Sequence, residues 1–138
     1  MEQENTQPRS PFGLSLQGAV YSGLFFMMVF VVINLTKIEP TRFITVGLHF
    51  SAIFTSVFLT QAIAKKLFQP LTFKLAWLSG WFSAVILGVL MMIFSKIFAT
   101  LMMPQLDIPT NLLTTFLMGY NMLGLIFSAI LAFIFKTK

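Results

Sequence analysis

Five side chains in this sequence sit where polar groups are expensive: Gln17, His49, Gln61, Asn121 and Lys96 each interrupt a long apolar run. In hydrocarbon such groups usually face a protein interior or a water-filled path, so each is a candidate for transport, proton relay or interhelical hydrogen bonding. His49 is the only histidine, and its imidazole could change charge near neutral pH. A relay needs company, and the acids do not supply it: Glu2 and Glu4 lie in the N-terminal tail, Glu39 and Asp107 between apolar runs. A histidine that hydrogen-bonds structurally is the simpler expectation. Gln17 and Gln61 fall near the cytoplasmic side at depths similar enough to hydrogen-bond across adjacent helices, while Asn121 stands nearer the middle of the last run. Lys96 is expected to snorkel to the headgroups, with pairing to Asp107 or capture of an anion as the sharper alternative.

A second set of residues points to packing rather than chemistry. Ala76, Gly80, Ala84 and Gly88 recur every fourth residue, which makes a small-residue groove along one helix. Ser15, Ala19 and Gly23 do the same in the first run, and Gly124, Ser128 and Ala132 in the fourth. The second run offers Gly47, Ser51 and Thr55 beside Ala52, Ser56 and Thr60. In lipid, helices gain nothing hydrophobic by touching, so close approach at small residues and hydrogen bonds between helices must hold them together. These grooves are expected to pack the chain's own bundle, with a homo-oligomer or a partner subunit as the other use.

Other chemistries are excluded or thin. Methionine pairs at Met27-Met28, Met91-Met92 and Met102-Met103, with Met118 and Met122, could in principle hold Cu(I), but no cysteine and no second histidine completes a site. Neither a metal nor another cofactor is expected. The chain has no phosphate-binding glycine loop, HExxH, GxSxG or paired carboxylates, which argues against an enzyme. Asn34-Leu35-Thr36 matches a glycosylation acceptor but abuts an apolar run and carries no weight.

The elements that must position these residues follow from composition. Of 138 residues, 57% are hydrophobic and 9% charged, against about 25% charged in a soluble domain. With a mean hydropathy of +0.89, the surface has too little polar side chain for water, and its solvent must be lipid. The net charge of +5 comes from basic residues standing singly or as one pair at the ends of apolar runs, without the basic face that nucleic acid requires.

Four apolar runs, at about 12–35, 43–64, 75–98 and 111–135, are each long enough to cross about 30 Å of hydrocarbon as a helix. Their unbroken apolar character does not alternate as barrel strands would. Pro40, Pro70, Pro104 and Pro109 mark the connections, which are short and make sequence neighbours antiparallel. The expected fold is an all-α, integral membrane four-helix bundle running up-down-up-down, behind a polar tail at 1–11. That tail carries Glu2 and Glu4 against Arg9, unlike a secretory leader, so the first run is expected to stay in the mature protein.

Positive residues resist translocation. The side with both termini carries Arg9, Lys65, Lys66, Lys74, Lys136 and Lys138, and the other Lys37, Arg42 and Lys96, so both termini are expected to be cytoplasmic. Trp77 and Trp81 suit an interfacial belt on that side.

The polar tail, the segment Phe12-Gly13-Leu14-Ser15-Leu16-Gln17-Gly18 and the helices carrying Gly80 and Gly124 resemble the small four-helix membrane proteins of unknown function common in Bacteroidetes. The resemblance implies a bacterial inner membrane, and it transfers no functional residue. The functional expectation is a non-enzymatic accessory, scaffold or homo-oligomeric membrane component, in contact with lipid and within a homo-oligomer or larger complex. The alternative is a small transporter or channel lined by Gln17, His49, Gln61 and Asn121.

Overall fold

A computed structural model describes residues 10–36, 41–102 and 110–137. Four helices account for nearly all of them: α1 (Pro11–Leu35), α2 (Arg42–Leu67), α3 (Phe73–Met102) and α4 (Thr110–Phe135). Each is long and apolar enough to cross a membrane. In hydrocarbon a helix is the form in which one segment satisfies its own backbone, so apolar runs of this length fold this way.

The ends are set by local chemistry. Ser10 caps α1 by accepting a 3.1 Å hydrogen bond from the Gly13 amide, and Pro11 follows at the first helical position, where its missing N–H costs nothing. Thr41 caps α2 through the Ile44 amide at 3.3 Å, and Thr72 Oγ1 accepts from the Leu75 amide at 3.3 Å at the start of α3. Lys65 and Lys66 occupy the last turn of α2, where cations complement the exposed carbonyls. α3 continues beyond residue 98 to Met102, because Ile97-Phe98-Ala99-Thr100-Leu101 contains no breaker before Pro104.

α2 and α3 form the centre: they pack on each other, and α1 and α4 lie on either side, each against both of them but not against one another. Sequence neighbours run antiparallel. Ser56 meets Ser83 and Gln61 meets Ala76, so numbers rise along α2 as they fall along α3. Gly80 lies by Ser128, and Gly88 by Tyr120, in the same sense between α3 and α4.

The interior is small and hydroxylated while the exterior is large and apolar. Ser15, Ser22, Ser56, Thr60, Gln61, Ser79, Ser83 and Ser128 are all buried, whereas Phe12, Leu24, Phe25, Met28, Phe43, Phe133 and Ile134 are exposed. This is the distribution a lipid solvent favours, since apolar side chains gain nothing by leaving it and polar ones gain partners inside. Aliphatic and aromatic side chains fill the remaining space between the hydroxyls, among them Phe26, Ile53, Val57, Leu87, Met91 and Tyr120.

One end is tied off by the chain's own C-terminal segment. The Thr137 amide donates to the Leu71 carbonyl at 2.9 Å, and the Leu71 amide donates to Thr137 Oγ1 at 3.1 Å. This pair joins the end of α4 to the α2–α3 connection, and it buries Leu71 completely beside Leu14, Ala64, Ala76 and Ala132.

Candidate functional site

The most polar point of the interior is Gln61, fully buried on α2 where α2, α3 and α4 meet. Its Nε2 donates to the Ala76 carbonyl at 3.0 Å, the Ser128 carbonyl at 3.0 Å and Ser128 Oγ at 3.1 Å. Ser128 Oγ in turn donates to the Trp77 carbonyl at 2.5 Å. Two backbone carbonyls therefore dictate which end of the amide faces them, because only the nitrogen carries protons. Gln61 Oε1 points the other way, buried and without a hydrogen-bond partner.

Gly80 makes this junction sterically possible. A Cβ there would collide with Ser128 Oγ, lie 2.7 Å from Gln61 Nε2 and 3.0 Å from Val57 Cγ1. The missing side chain on α3 is thus the space that the Gln61 amide and the Ser128 hydroxyl occupy.

A ladder of hydroxyls extends from this point. Ser15 Oγ on α1 donates to the Ser79 carbonyl at 2.8 Å, and Ser22 Oγ to the Ala52 carbonyl at 3.1 Å. The Ser56 and Ser83 hydroxyls bond one another across α2 and α3, and Ser83 Oγ also lies 3.1 Å from the Ser56 carbonyl. Thr60 and Ser79 turn back onto their own helices, at the Ser56 carbonyl (2.9 Å) and the Ala76 carbonyl (3.0 Å). Carbonyls already engaged in helices keep a free lone pair, and these serines use it to stitch neighbours together.

The other polar candidates engage separate partners. His49 Nδ1 lies 2.7 Å from Tyr120 Oη, within a ring of Phe30, Phe116 and Tyr120 at centroid distances of 5.3, 4.6 and 5.7 Å. Asn121 Oδ1 accepts from Trp81 Nε1 at 2.6 Å, and the Trp81 ring stacks on Trp77 at 6.0 Å. Gln17, half-buried on α1, donates to Tyr21 Oη at 3.4 Å. Gln61 turns to α3 and α4, so the hydrogen bond to Gln17 that their similar depths would allow is not formed.

Lys96 is exposed near the far end of α3. Asp107, its suggested partner, lies outside the described residues. Ala19, Gly23, Ala76, Gly80, Ala84, Gly88, Gly124 and Ser128 are all buried. The α2 stripe divides, with Ala52, Ser56 and Thr60 buried and Gly47 and Ser51 facing outward. Among the methionines, Met91 is buried whereas Met28, Met118 and Met122 are exposed on the exterior. Among the described residues, no three His, Cys, Asp or Glu side chains gather as metal ligands do.

Sequence reasoning missed Tyr120, Ser22, Ser79, Ser83 and the role of Trp81 as a donor. A signal existed for the serines: Ser79 and Ser83 stand one position before Gly80 and Ala84, and so share the inward side of α3. No such signal marked Tyr120, whose phenol reads as an interfacial aromatic until His49 is seen opposite. No protein family, curated protein or solved structure matches this chain.

Proposed function

We propose that this chain is a small non-enzymatic integral membrane protein that acts as an accessory, scaffold or homo-oligomeric component of a membrane assembly. It would cross the bilayer up-down-up-down with both ends cytoplasmic, as the six-to-three distribution of basic residues favours. The bacterial inner membrane is its proposed location, in keeping with the resemblance noted above.

The observation that carries this reading is the separation of the polar candidates. His49 is committed to Tyr120, Asn121 to Trp81, and Gln61 to Ala76 and Ser128, each at hydrogen-bond distance and each between different elements. Groups spent on neighbouring helices specify packing, and a rigid small bundle with a lipid-facing exterior suits a component that others assemble around. The test is purification in a mild detergent, followed by mass determination and identification of co-purifying chains. A stable complex with a larger protein or a defined homo-oligomer supports the role, and a strictly monomeric, partner-free species argues against it.

One observation favours the alternative of a small transporter or channel. Gln61 Oε1 is a buried acceptor with no partner, which is the kind of group a passing polar substrate or water would satisfy. Four helices enclose little space, so conduction would require several copies. Loss of a measured flux in Gln61→Leu with the fold retained would move the assignment to transport.

A further inference from the structure

Along the outer junction of α2 and α4 runs a seam of aromatic rings, in which Phe127 and Phe135 pack inward against the core and Phe50, Phe54 and Phe58 stay exposed. Phe50, Phe54 and Phe58 lie on one side of α2, all exposed, and meet Phe127 and Phe135 of α4. Phe50 and Phe54 stand edge-on to Phe127 at 6.1 and 6.0 Å, Phe54 stacks on Phe58 at 6.1 Å, and Phe58 stands edge-on to Phe135 at 5.3 Å. Where α2 carries Ser51 and Thr55 instead of large side chains, the seam has a shallow, outward-open hollow of about 380 Å³ bordered by Phe50, Phe54 and Phe127.

The same seam ends in a cation. Lys65 Nζ lies 5.8 Å from the centre of the Phe135 ring. Lys65 follows Phe58 by seven positions and Phe54 by eleven, spacings that keep all three on one helical face. Lys66, Lys74 and Lys136 belong to the same end of the bundle, and the described residues include no Asp or Glu to offset them. From Lys65 to Ser51 is fourteen positions, roughly 21 Å at the helical rise. That is about half the thickness of a bilayer with its headgroup regions, so Lys65 stands at headgroup level when Ser51 lies near the midplane.

We infer that the α2–α4 seam is a binding site for one anionic phospholipid, its phosphate at Lys65 and one acyl chain along Phe58 and Phe54 into the hollow at Ser51 and Thr55. Charge complementarity selects the occupant. A neutral helix from a second copy would match the rings but leave Lys65 without an anion, whereas an anionic lipid matches both. Rigid aromatic rings flank a chain at little entropic cost, and the small residues leave a shallow recess for it between them.

Native mass spectrometry of the full chain in mild detergent tests this, with phosphatidylglycerol and phosphatidylcholine of identical acyl chains offered in turn. The expected result is retention of one phosphatidylglycerol in preference to phosphatidylcholine. Lys65→Gln should reduce that retention about fivefold, the effect of one cation at a membrane surface. Lys74→Gln, at the same end but on α3, should have a clearly smaller effect. Filling the hollow with Ser51→Phe should weaken retention of both lipids, and Thr55→Leu gives the same readout should Ser51→Phe fail to fold. Equal retention of the two lipids, equal losses from Lys65→Gln and Lys74→Gln, or fillers without effect would each overturn the site. A lipid-free dimer that Ser51→Phe dissociates would assign the seam to a second copy instead.

Discussion

Gly124 of α4 faces Ala84 of α3 so closely that a Cβ on the glycine would overlap the alanine methyl group. The two helices meet nearly backbone to backbone here, and the absent side chain sets their separation. Gly88, one turn from Ala84, repeats the arrangement against Tyr120, whose Cβ would lie 2.8 Å from a Cβ at that position. Neither contact has a flexible side-chain tip that could swing aside.

Substitution should therefore separate the inward glycines from the outward ones. Gly124→Ala and Gly88→Ala are expected to lose about 1–3 kcal/mol through overpacking, and leucine at either position more. Gly47 and Gly119 have nothing within 4 Å of a Cβ, so Gly47→Ala and Gly119→Ala should be neutral or gain up to about 1 kcal/mol in helix propensity. Equilibrium unfolding in detergent micelles, compared across the four variants, checks the ranking.

At Gln61 the sign of the charge should matter more than the loss of the hydrogen bonds. Gln61→Leu keeps the volume and surrenders bonds to carbonyls that remain paired within their helices, for a cost of about 1 kcal/mol. Gln61→Glu presents oxygen lone pairs to the Ala76 and Ser128 carbonyls at a buried position, and should cost about 2.5 kcal/mol or more. An acid variant as stable as the leucine variant at a pH where the carboxyl is ionised would contradict the amide orientation described above.

His49 and Tyr120 should be energetically coupled. In a double-mutant cycle of His49→Gln and Tyr120→Phe, the coupling is expected to be about 0.6 kcal/mol and to stay below about 2, the range measured for hydrogen bonds between membrane helices. Additive losses would mean that the 2.7 Å contact contributes nothing beyond ring packing.

Trp81 offers an optical readout of its bond to Asn121. In a Trp77→Phe background, Asn121→Leu should move the Trp81 emission to shorter wavelength, because the indole N–H loses its acceptor at 2.6 Å. An unchanged spectrum would place the indole elsewhere.

The C-terminal clamp makes a connection between distant positions. Thr137→Val removes the hydroxyl that receives the Leu71 amide, and should increase proteolytic cleavage in the stretch between α2 and α3 without altering the helices. Limited proteolysis with helicity measured in parallel tests it.

The four helices are legible in the sequence because a membrane-spanning run announces itself through length and hydropathy alone, and the prolines between runs mark the breaks. The inward residues of α3 are legible as well, since Ala76, Gly80, Ala84 and Gly88 keep one spacing. Partners are another matter. Gln61 shows its cost in the sequence but not its choice between one amide on α1 and two carbonyls on α3 and α4, which depends on how closely Gly80 lets the helices approach. His49 likewise shows no sign of Tyr120, seventy-one positions away. The α2 stripe shows the limit from the other side: Gly47-Ser51-Thr55 and Ala52-Ser56-Thr60 look alike as small-residue patterns, yet only the second is covered by neighbours.

The placement of α1 and α4 on opposite flanks bears on how the chain is made. α1, α2 and α3 already touch one another pairwise, so a nascent polypeptide can close a three-helix unit before α4 leaves the ribosome. α4 then docks onto a surface that is largely ready, where Gly80, Ala84 and Gly88 wait with Gln61 at one end of the trough. A protein synthesised in this order would leave its most polar interior point open to solvent or lipid until α4 arrives, and would seal it by that docking.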